Sequence, residues 1–310
     1  MRNKDDIQKP AKLKKGDCVG IVAPAGVVDS EPLRQGVDVI RRMGFEPLLG
    51  KHVLSRHRYL AGTDEERSAD IMAMFADPQV KAIFCARGGY GADRVIAHLK
   101  PGVIRRNPKI FVGSSDITLL LIYLYQKCSL VTFHGPMVAG SFGRQPMAQT
   151  QKQFKGLLTG DPSARTLSDP GIRVLRPGSA KGKVIGGCLT LLCRSLKTSY
   201  EIDTRDKIML IEDVNEPLYR IDGMLWQLKR AGKFKDVKGV VFGEMINCRS
   251  DQHGGSLEEI AEEVFAGETF PVFLNAPVGH GSEIWTVPFG VEAKLDTKTK
   301  LLQLTGSGLK

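Results

Sequence analysis

The chain has 310 residues, of which 42% are hydrophobic and 25% charged, and a formal net charge of +10. This length predicts two domains with ordinary cores, and the longest uncharged apolar run, the ten residues Ile117 to Gln126, is too short for a membrane-spanning helix of roughly 20 residues. The positive charges are scattered and lack interleaved aromatic residues, so we expect no nucleic-acid partner.

The first half of the chain alternates short apolar runs with amphipathic stretches. From Asp17 to about Gln126 the apolar runs are CVGIVAPA, FEPLLG, KAIFCAR and KIFVG, and helical patterns separate them. This βαβ rhythm predicts a parallel sheet with helices on both faces. Because such sheets place their sites at the carboxyl ends of the strands, we expect function where KAIFCAR and KIFVG end.

The segment after Gly140 is polar and rich in turn residues, which is typical of an inter-domain connection. Further apolar runs follow it, and the chain closes with a hairpin whose turn lies near Asp296 to Lys300. We therefore predict an N-terminal α/β domain at 1–165, a linker at 166–180 and a mixed α and β domain at 181–310.

A candidate nucleophile follows the strand KIFV, where the chain reads GSSD. A strand that turns abruptly into a helix through glycine exposes the second residue after that glycine, here Ser115. The backbone N–H of Asp116 would lie in the first helical turn and favour an oxyanion, and Gly89, at a neighbouring strand end, is our choice for the second donor. The alternative is a simple helix N-cap, since the full G-x-S-x-G pattern is missing.

A serine nucleophile needs a base, and the base needs an orienting carboxylate. Among six histidines, His134 and His280 each end an apolar run beside a glycine. His280 lies between two glycines and is the favoured base, whereas His134 also fits a hydrogen-bonded core histidine. Glu212 closes the run KIMLI and is the candidate carboxylate, although a charge placed ahead of a helix also explains it.

No pattern predicts a metal or a cofactor. HExxH is absent, no acidic cluster supplies three ligands, and the GGYG segment lacks the dinucleotide and P-loop patterns. The six cysteines lack metal spacing and are expected to be buried reduced thiols. Because the first seventeen residues contain no apolar run of the signal-peptide kind, we expect a cytoplasmic protein.

Six separated motifs occur in a specific order along the chain: GDCVGIVAPAG, YLAGTDEERSADIMAMFADPQVKAIFCARGGYGADRV, GSSDIT, TFHGPM, IEDVNEPLYRIDGMLWQL and APVGHG. Together they resemble the LD-carboxypeptidases, which include the microcin C immunity peptidases, from about Lys14 to Leu304. The resemblance implies a flavodoxin-like N-terminal domain, a smaller swivelling β-rich α+β C-terminal domain, and a site between them.

The resemblance also implies an activity. Ser115, Glu212 and His280 match the family's catalytic serine, glutamate and histidine, and family members remove terminal D-alanine from murein tetrapeptides in cytoplasmic cell-wall recycling. The reaction passes through an acyl-enzyme and needs no metal or cofactor, and the family likeness suggests a homodimer. The alternatives are an immunity-type peptidase that cleaves a peptidyl-adenylate analogue and a non-catalytic binding homologue, and the three filled positions argue against the last.

Three positions depart from the family pattern. An aromatic residue is usual at Ser114, Asn is common at Cys188 and Gly is common at Lys197, which leaves the fit of the substrate open. Arg87, just before the glycine pair, is a candidate to bind the substrate's terminal carboxylate, and pinning the oxyanion loop is the alternative. His134 is a second candidate for substrate contact.

Overall fold

The structure is a computed structural model that describes residues 7–144, 147–250 and 254–310. Its internal contacts divide the chain into two compact units. The first comprises the described residues up to Ala164 together with Trp285–Gly290 and Ser307–Lys310, and the second comprises Arg165–Ile284 and Val291–Gly306. Two short C-terminal pieces therefore belong to the first unit, unlike the contiguous 181–310 domain expected from the sequence.

Strands and helices are numbered along the chain, within the residues just given. The strands are β1 (Cys18–Val22), β2 (Glu46–Leu49), β3 (Val80–Cys85), β4 (Ile110–Gly113), β5 (Thr132–His134), β6 (Thr166–Ser168), β7 (Arg173–Arg176), β8 (Ser179–Cys188), β9 (Lys207–Val214), β10 (Gly239–Ile246), β11 (Val272–Ala276), β12 (Val287–Phe289), β13 (Glu292–Asp296) and β14 (Leu301–Leu304). The helices are α1 (Ser30–Arg42), α2 (Asp64–Ala76), α3 (Ala92–Val95), α4 (Pro101–Arg106), α5 (Thr118–Cys128), α6 (Ala148–Thr159), α7 (Leu189–Ser195), α8 (Leu218–Arg230) and α9 (Leu257–Val264).

The sheet of the first unit has the strand order β2-β1-β3-β4-β5-β12. Neighbouring strands from β2 to β5 are parallel, whereas β12 pairs antiparallel with β5. The order 2-1-3-4-5 is that of a flavodoxin-like fold, as the resemblance implied. The strand order reverses between β1 and β3, so a crevice is expected there at the carboxyl ends.

Local sequence explains the helices that cover this sheet. Helix α2 begins with a capping box, in which the Thr63 side chain accepts from the Glu66 N–H and the Glu66 side chain accepts from the Thr63 N–H. Helix α5 is apolar on nearly all sides because most of its residues are buried, which accounts for the longest apolar run of the chain. No helix in the described ranges is long and apolar enough to cross a membrane.

The second unit is built on a mixed sheet with the order β6-β14-β13-β8-β9-β10-β11-β7. The four strands from β8 to β11 are parallel to one another, whereas β13 pairs antiparallel with β8, β7 with β11, β14 with β13 and β6 with β14. The expected linker at 166–180 instead contains β6, β7 and the start of β8. The expected hairpin is present as β13 and β14.

Candidate active site

Ser115 lies at a sharp turn between β4 and α5. It begins a short 3₁₀ turn, Ser115–Ile117, with a φ of +58°. That left-handed conformation costs a residue with a Cβ about 1–2 kcal/mol, and such strain concentrates at functional sites. Gly113 makes the turn possible, because a Cβ there would lie 2.6 Å from Cγ2 of Ile117. The serine is half-buried, whereas the preceding Ser114 is 1% exposed.

The glycine loop after β3 lies against this serine. A Cβ on Gly88 would stand 2.8 Å from Cβ of Ser115, 3.0 Å from its Oγ and 3.4 Å from the backbone N of Asp116. Gly89 has a φ of +112°, which strongly favours glycine. The structure therefore brings together the Ser115 turn and the glycine pair that sequence reasoning named for the oxyanion.

Two buried side chains tie this loop in place. The Asp116 carboxylate accepts from the Ala92 N–H at 2.7 Å. The guanidinium of Arg67, which is 1% exposed, donates to the carbonyl of Gly91 at 2.7 Å. Both bonds hold the peptide unit between Gly91 and Ala92 at the C-terminal end of the loop, which helps to preorganise the backbone. Sequence reasoning missed Arg67, since nothing in the helical pattern of α2 marks it as buried.

Glu212 and His280 form a hydrogen-bonded pair in the second unit. Glu212 is fully buried in β9, and its Oε2 lies 2.7 Å from Nδ1 of His280, so the imidazole donates to the carboxylate. Burial of His280 works to lower its pKa, but the hydrogen bond and charge of Glu212 and the charge of Asp213 outweigh it, and the pKa is raised. Gly279 precedes the histidine with a φ of +112°, and a Cβ on it would collide with the Glu212 carboxylate.

A second buried carboxylate, Asp213, stands beside this pair. Its Oδ2 accepts from the backbone N–H and the hydroxyl of Thr190 at 2.9 and 2.8 Å. Its Oδ1 lies 3.5 Å from Sγ of Cys188. Burial and the charges of Glu212 and Asp213 raise the pKa of the Cys188 thiol well above its usual value, so the thiol stays a donor. Sequence reasoning assigned Asp213 no part in the site.

The remaining predicted residues lie in different settings. Arg87 is half-buried and donates to the Val27 carbonyl at 2.7 Å, so it ties the loop after β3 to the loop after β1. His134 is fully buried in β5, with its ring 5.9 Å from that of Phe289. This is the core setting that sequence analysis gave as the alternative for His134. Because the side chain is fully buried, it has no exposed surface with which to contact a substrate. Lys197 has a φ of +61°, a backbone conformation that favours glycine, the residue that the resemblance implies at this position.

No group of three histidine, cysteine, aspartate or glutamate side chains within residues 7–144, 147–250 and 254–310 is arranged to hold a metal ion. All six cysteines are free thiols. The site residues thus consist of a strained serine beside a glycine loop and a histidine held by a buried carboxylate. These are the components of a serine-type hydrolase.

Comparisons with known proteins identify the family within the serine-type hydrolases. The model of the LD-carboxypeptidase N-terminal domain matches residues 19–135, and that of the LD-carboxypeptidase C-terminal domain matches residues 181–295. The chain is 39% identical over 295 residues to a probable murein peptide carboxypeptidase of Bacillus subtilis, covering 94% of this chain and 92% of the relative. The chain belongs to the LD-carboxypeptidase family.

Two solved structures show the same fold. A muramoyltetrapeptide carboxypeptidase from Oxalobacter formigenes superposes with a TM-score of 0.81 at 29% identity and covers 92% of this chain and 97% of its own. A microcin C7 self-immunity protein superposes with a TM-score of 0.91 at 25% identity and covers 98% of this chain and 100% of its own. The enzyme is a carboxypeptidase of this fold.

Proposed function

We propose that this enzyme hydrolyses the L,D peptide bond that holds the terminal D-alanine of a murein tetrapeptide. Ser115 is the nucleophile, His280 the general base and Glu212 the residue that orients the base. The names of the relatives support this substrate class, since the similar proteins from Bacillus subtilis and Oxalobacter formigenes are a probable murein peptide carboxypeptidase and a muramoyltetrapeptide carboxypeptidase.

The observation that carries the proposal is the 2.7 Å contact between Nδ1 of His280 and the buried carboxylate of Glu212. A carboxylate on Nδ1 fixes the tautomer in which Nε2 is free to accept a proton. It also stabilises the imidazolium that forms when that proton is taken. These are the two requirements for a base that activates a serine.

The reaction follows from these roles. Nε2 of His280 takes the Ser115 hydroxyl proton as Oγ attacks the carbonyl carbon of the L,D bond. The imidazolium then gives that proton to the leaving nitrogen, the C–N bond breaks and D-alanine departs. Water attacks the resulting ester, His280 takes a proton from the water and returns it to Oγ, and the tripeptide is released.

The oxyanion of each tetrahedral intermediate is assigned to the backbone N–H groups of Gly89 and Asp116. Donors that are already in place gain more from a developing charge than donors that must reorganise. The tight approach of the Gly88–Gly89 turn to Ser115 supports this assignment, as does the fixed position of the Asp116 side chain.

The test is release of D-alanine from meso-diaminopimelate tetrapeptide by the wild type and by Ser115→Ala, with a loss of roughly 10⁴-fold or more expected in the variant. Ser129→Ala is a matched control, because Ser129 also has a positive φ, +53°, and lies at the other end of α5. If Ser115→Ala still releases D-alanine, Ser115 is not the nucleophile. Turnover of a peptidyl-adenylate analogue instead of the tetrapeptide would assign the protein to the immunity type.

We also propose a cytoplasmic location and a homodimer. Free thiols at all six cysteines fit a reducing compartment, and the dimer rests on the family likeness. Cell fractionation with an antibody checks the first, and light scattering coupled to size exclusion checks the second. Recovery in a membrane or secreted fraction, or a monomeric mass at micromolar concentration, would contradict these assignments.

A further inference from the structure

A cavity of about 460 Å³ opens in the first unit beside the glycine loop. Its walls come from the loops that follow β1, β2 and β3, and they include Val27, Arg56, Arg87 and Gly89. The strand order reverses between β1 and β3, and open α/β sheets bind ligands in the crevice at that point. The cavity therefore has the position of a binding site.

The charge of the lining is strongly positive. Three arginines, Arg56, Arg58 and Arg87, line the cavity together with one aspartate, Asp29. That aspartate already forms an ion pair at 3.4 Å with Arg144. Within the part of the chain that the structure describes, none of the three arginines forms an ion pair with a carboxylate. The cavity thus presents unneutralised guanidinium groups, which suit a carboxylate ligand.

The loop after β2, which carries Arg56 and Arg58, is held in a fixed conformation. Arg58 sits at a tight turn in which the N–H of His57 donates to the Leu60 carbonyl at 2.9 Å and the N–H of Leu60 donates back at 3.0 Å. The Tyr59 carbonyl accepts from the N–H of Val27 at 3.1 Å. The Arg58 guanidinium also lies 5.7 Å from the centre of the Tyr59 ring. A loop anchored in this way loses little entropy when it binds a ligand.

The glycine loop borders both this cavity and the attacking serine. Gly89 is part of the cavity wall. A Cβ added to the adjacent Gly88 would lie 3.0 Å from Oγ of Ser115. In a carboxypeptidase substrate, only the nitrogen and Cα of the last residue separate the attacked carbonyl from the terminal carboxylate. Because the Gly88–Gly89 pair borders both the cavity and Ser115, a carboxylate of the same substrate is the ligand that we assign to the cavity.

We propose that Arg56 and Arg58 form, together with Arg87, a binding site for a carboxylate of the substrate beside the nucleophile. The inference rests on the proposed function and names the feature by which the enzyme selects a peptide with a free acid. Arg87 keeps its bond to Val27, so it both pins the loop and contributes its remaining N–H groups. Two carboxylates belong to the residues on either side of the cleaved bond and share this chemistry, that of the terminal D-alanine and the side-chain one of diaminopimelate.

The experiment measures kcat and KM for Arg56→Gln and Arg58→Gln with three substrates. These are the meso-diaminopimelate tetrapeptide, its C-terminal amide, and the L-lysine tetrapeptide, which lacks the side-chain carboxylate. We expect KM for the first substrate to rise roughly tenfold in each variant with kcat nearly unchanged, because a bound carboxylate interacts equally in ground and transition states. Arg41→Gln, an exposed arginine on α1 paired with Asp38, is the control and should leave KM unchanged.

The substrates distinguish the two sources. If the rise in KM disappears with the amide substrate, the site binds the terminal carboxylate. If it disappears with the lysine peptide, the site binds the carboxylate of diaminopimelate. An equal rise in KM with all three substrates, or no rise with any of them, would overturn the carboxylate site but would leave the proposed hydrolytic function standing.

A second measurement separates failure of the site from failure of the proposed function. Phenylglyoxal modifies accessible arginines, and peptide mapping by mass spectrometry reports the rate at each one. We expect either N-acetyl-D-alanine, which carries the terminal carboxylate, or meso-diaminopimelate, which carries the side-chain one, to slow modification of Arg56 and Arg58 several-fold but not that of Arg41. If the wild type releases no D-alanine, the proposed function fails, and the absence of protection by both probes would overturn the carboxylate site as well.

Discussion

Gly88 and Ser115 are in such close contact that a Cβ on the glycine would stand 2.8 Å from Cβ of the serine and 3.0 Å from its Oγ. Gly88 does not have a positive φ, so its backbone tolerates alanine and only the space is lacking. We expect Gly88→Ala to lower kcat by roughly a hundredfold, because displacing the nucleophile by even about 1 Å costs that much.

The matched control for that variant is Gly102→Ala. Gly102 lies within α4, and a Cβ there would meet only Arg106, at 3.5 Å. Alanine is favoured over glycine in a helix, so this change should keep full activity and slightly raise the melting temperature. Equal activity in the two variants, measured as D-alanine release, would show that the Gly88 contact has no part in catalysis.

Gly279 and Gly232 allow a similar separation of strain from collision in the second unit. Both have a positive φ, but a Cβ on Gly279 would collide with Glu212, whereas a Cβ on Gly232 would meet nothing within 4 Å. We expect Gly232→Ala to cost about 1–2 kcal/mol in unfolding free energy, the strain alone, and to leave kcat unchanged. Gly279→Ala should cost more and abolish most activity, because it displaces the carboxylate that orients His280. The unfolding free energy from denaturant titration and kcat are measured for both variants. Equal effects in the two would contradict a collision between a Cβ at residue 279 and Glu212.

The raised pKa of His280 predicts the acid side of the pH profile. A general base must be neutral, so kcat/KM should fall as the pH drops through a midpoint above the ordinary histidine value of 6.5. The negative charge of Asp213 is one cause of the raised pKa, and Asp213→Asn should move this midpoint to lower pH. Asp236→Asn, an exposed aspartate in the same unit, is the control and should not move it. An unchanged midpoint in Asp213→Asn would contradict the assignment.

The same pKa also affects stability. Because the folded-state pKa exceeds the unfolded one, protonated His280 contributes stability that is fully present below about pH 6.5 and is lost as the pH rises through the folded value. Thermal melts of the wild type across this window should therefore show a decline that His280→Gln lacks. A parallel decline in both proteins would place its origin elsewhere.

Arg67 and Arg94 both pair with Asp64, but only Arg67 is buried. Arg67 also donates to the carbonyls of Pro24 and Gly91. Removing one partner of a buried pair costs about 3–5 kcal/mol, so Arg67→Met should destabilise by that amount and slow catalysis through the loosened glycine loop. Arg94→Met breaks a pair with a side chain 35% exposed and should cost under about 1 kcal/mol. Urea unfolding midpoints compare the two, and equal losses would contradict this account.

The predictable part of the fold follows from local patterns. The flavodoxin-like sheet could be expected because each of its first strands is a short apolar run followed by a helical stretch. The same rhythm placed Ser115 and Glu212 at or near strand ends, where their side chains are available for chemistry. For His134 and His280 the local pattern was the same, a histidine after an apolar run and before a glycine. Long-range packing against Phe289 distinguished them, and no local signal reports it.

The parts that were not predicted depend on distant pairing. Strand β12 has only three residues, and its partner β5 lies some 150 residues earlier in the chain, Val287 pairing with His134. Strands β6 and β7 are short and lie at the two edges of their sheet, where exposed residues such as Arg173 are usual. Edge strands of this kind have the composition of a loop, and the segment 166–180 was therefore expected to be a linker.

The return of β12 to the first sheet limits how such proteins can recombine. The chain passes from one unit to the other after Ala164, Ile284, Gly290 and Gly306, so neither unit is a single continuous stretch of the chain. A hybrid gene joined once near residue 165 would place one parent's β12 beside the other parent's β5. A hybrid that keeps both sheets intact must inherit Trp285–Gly290 and Ser307–Lys310 from the parent that supplies the N-terminal half.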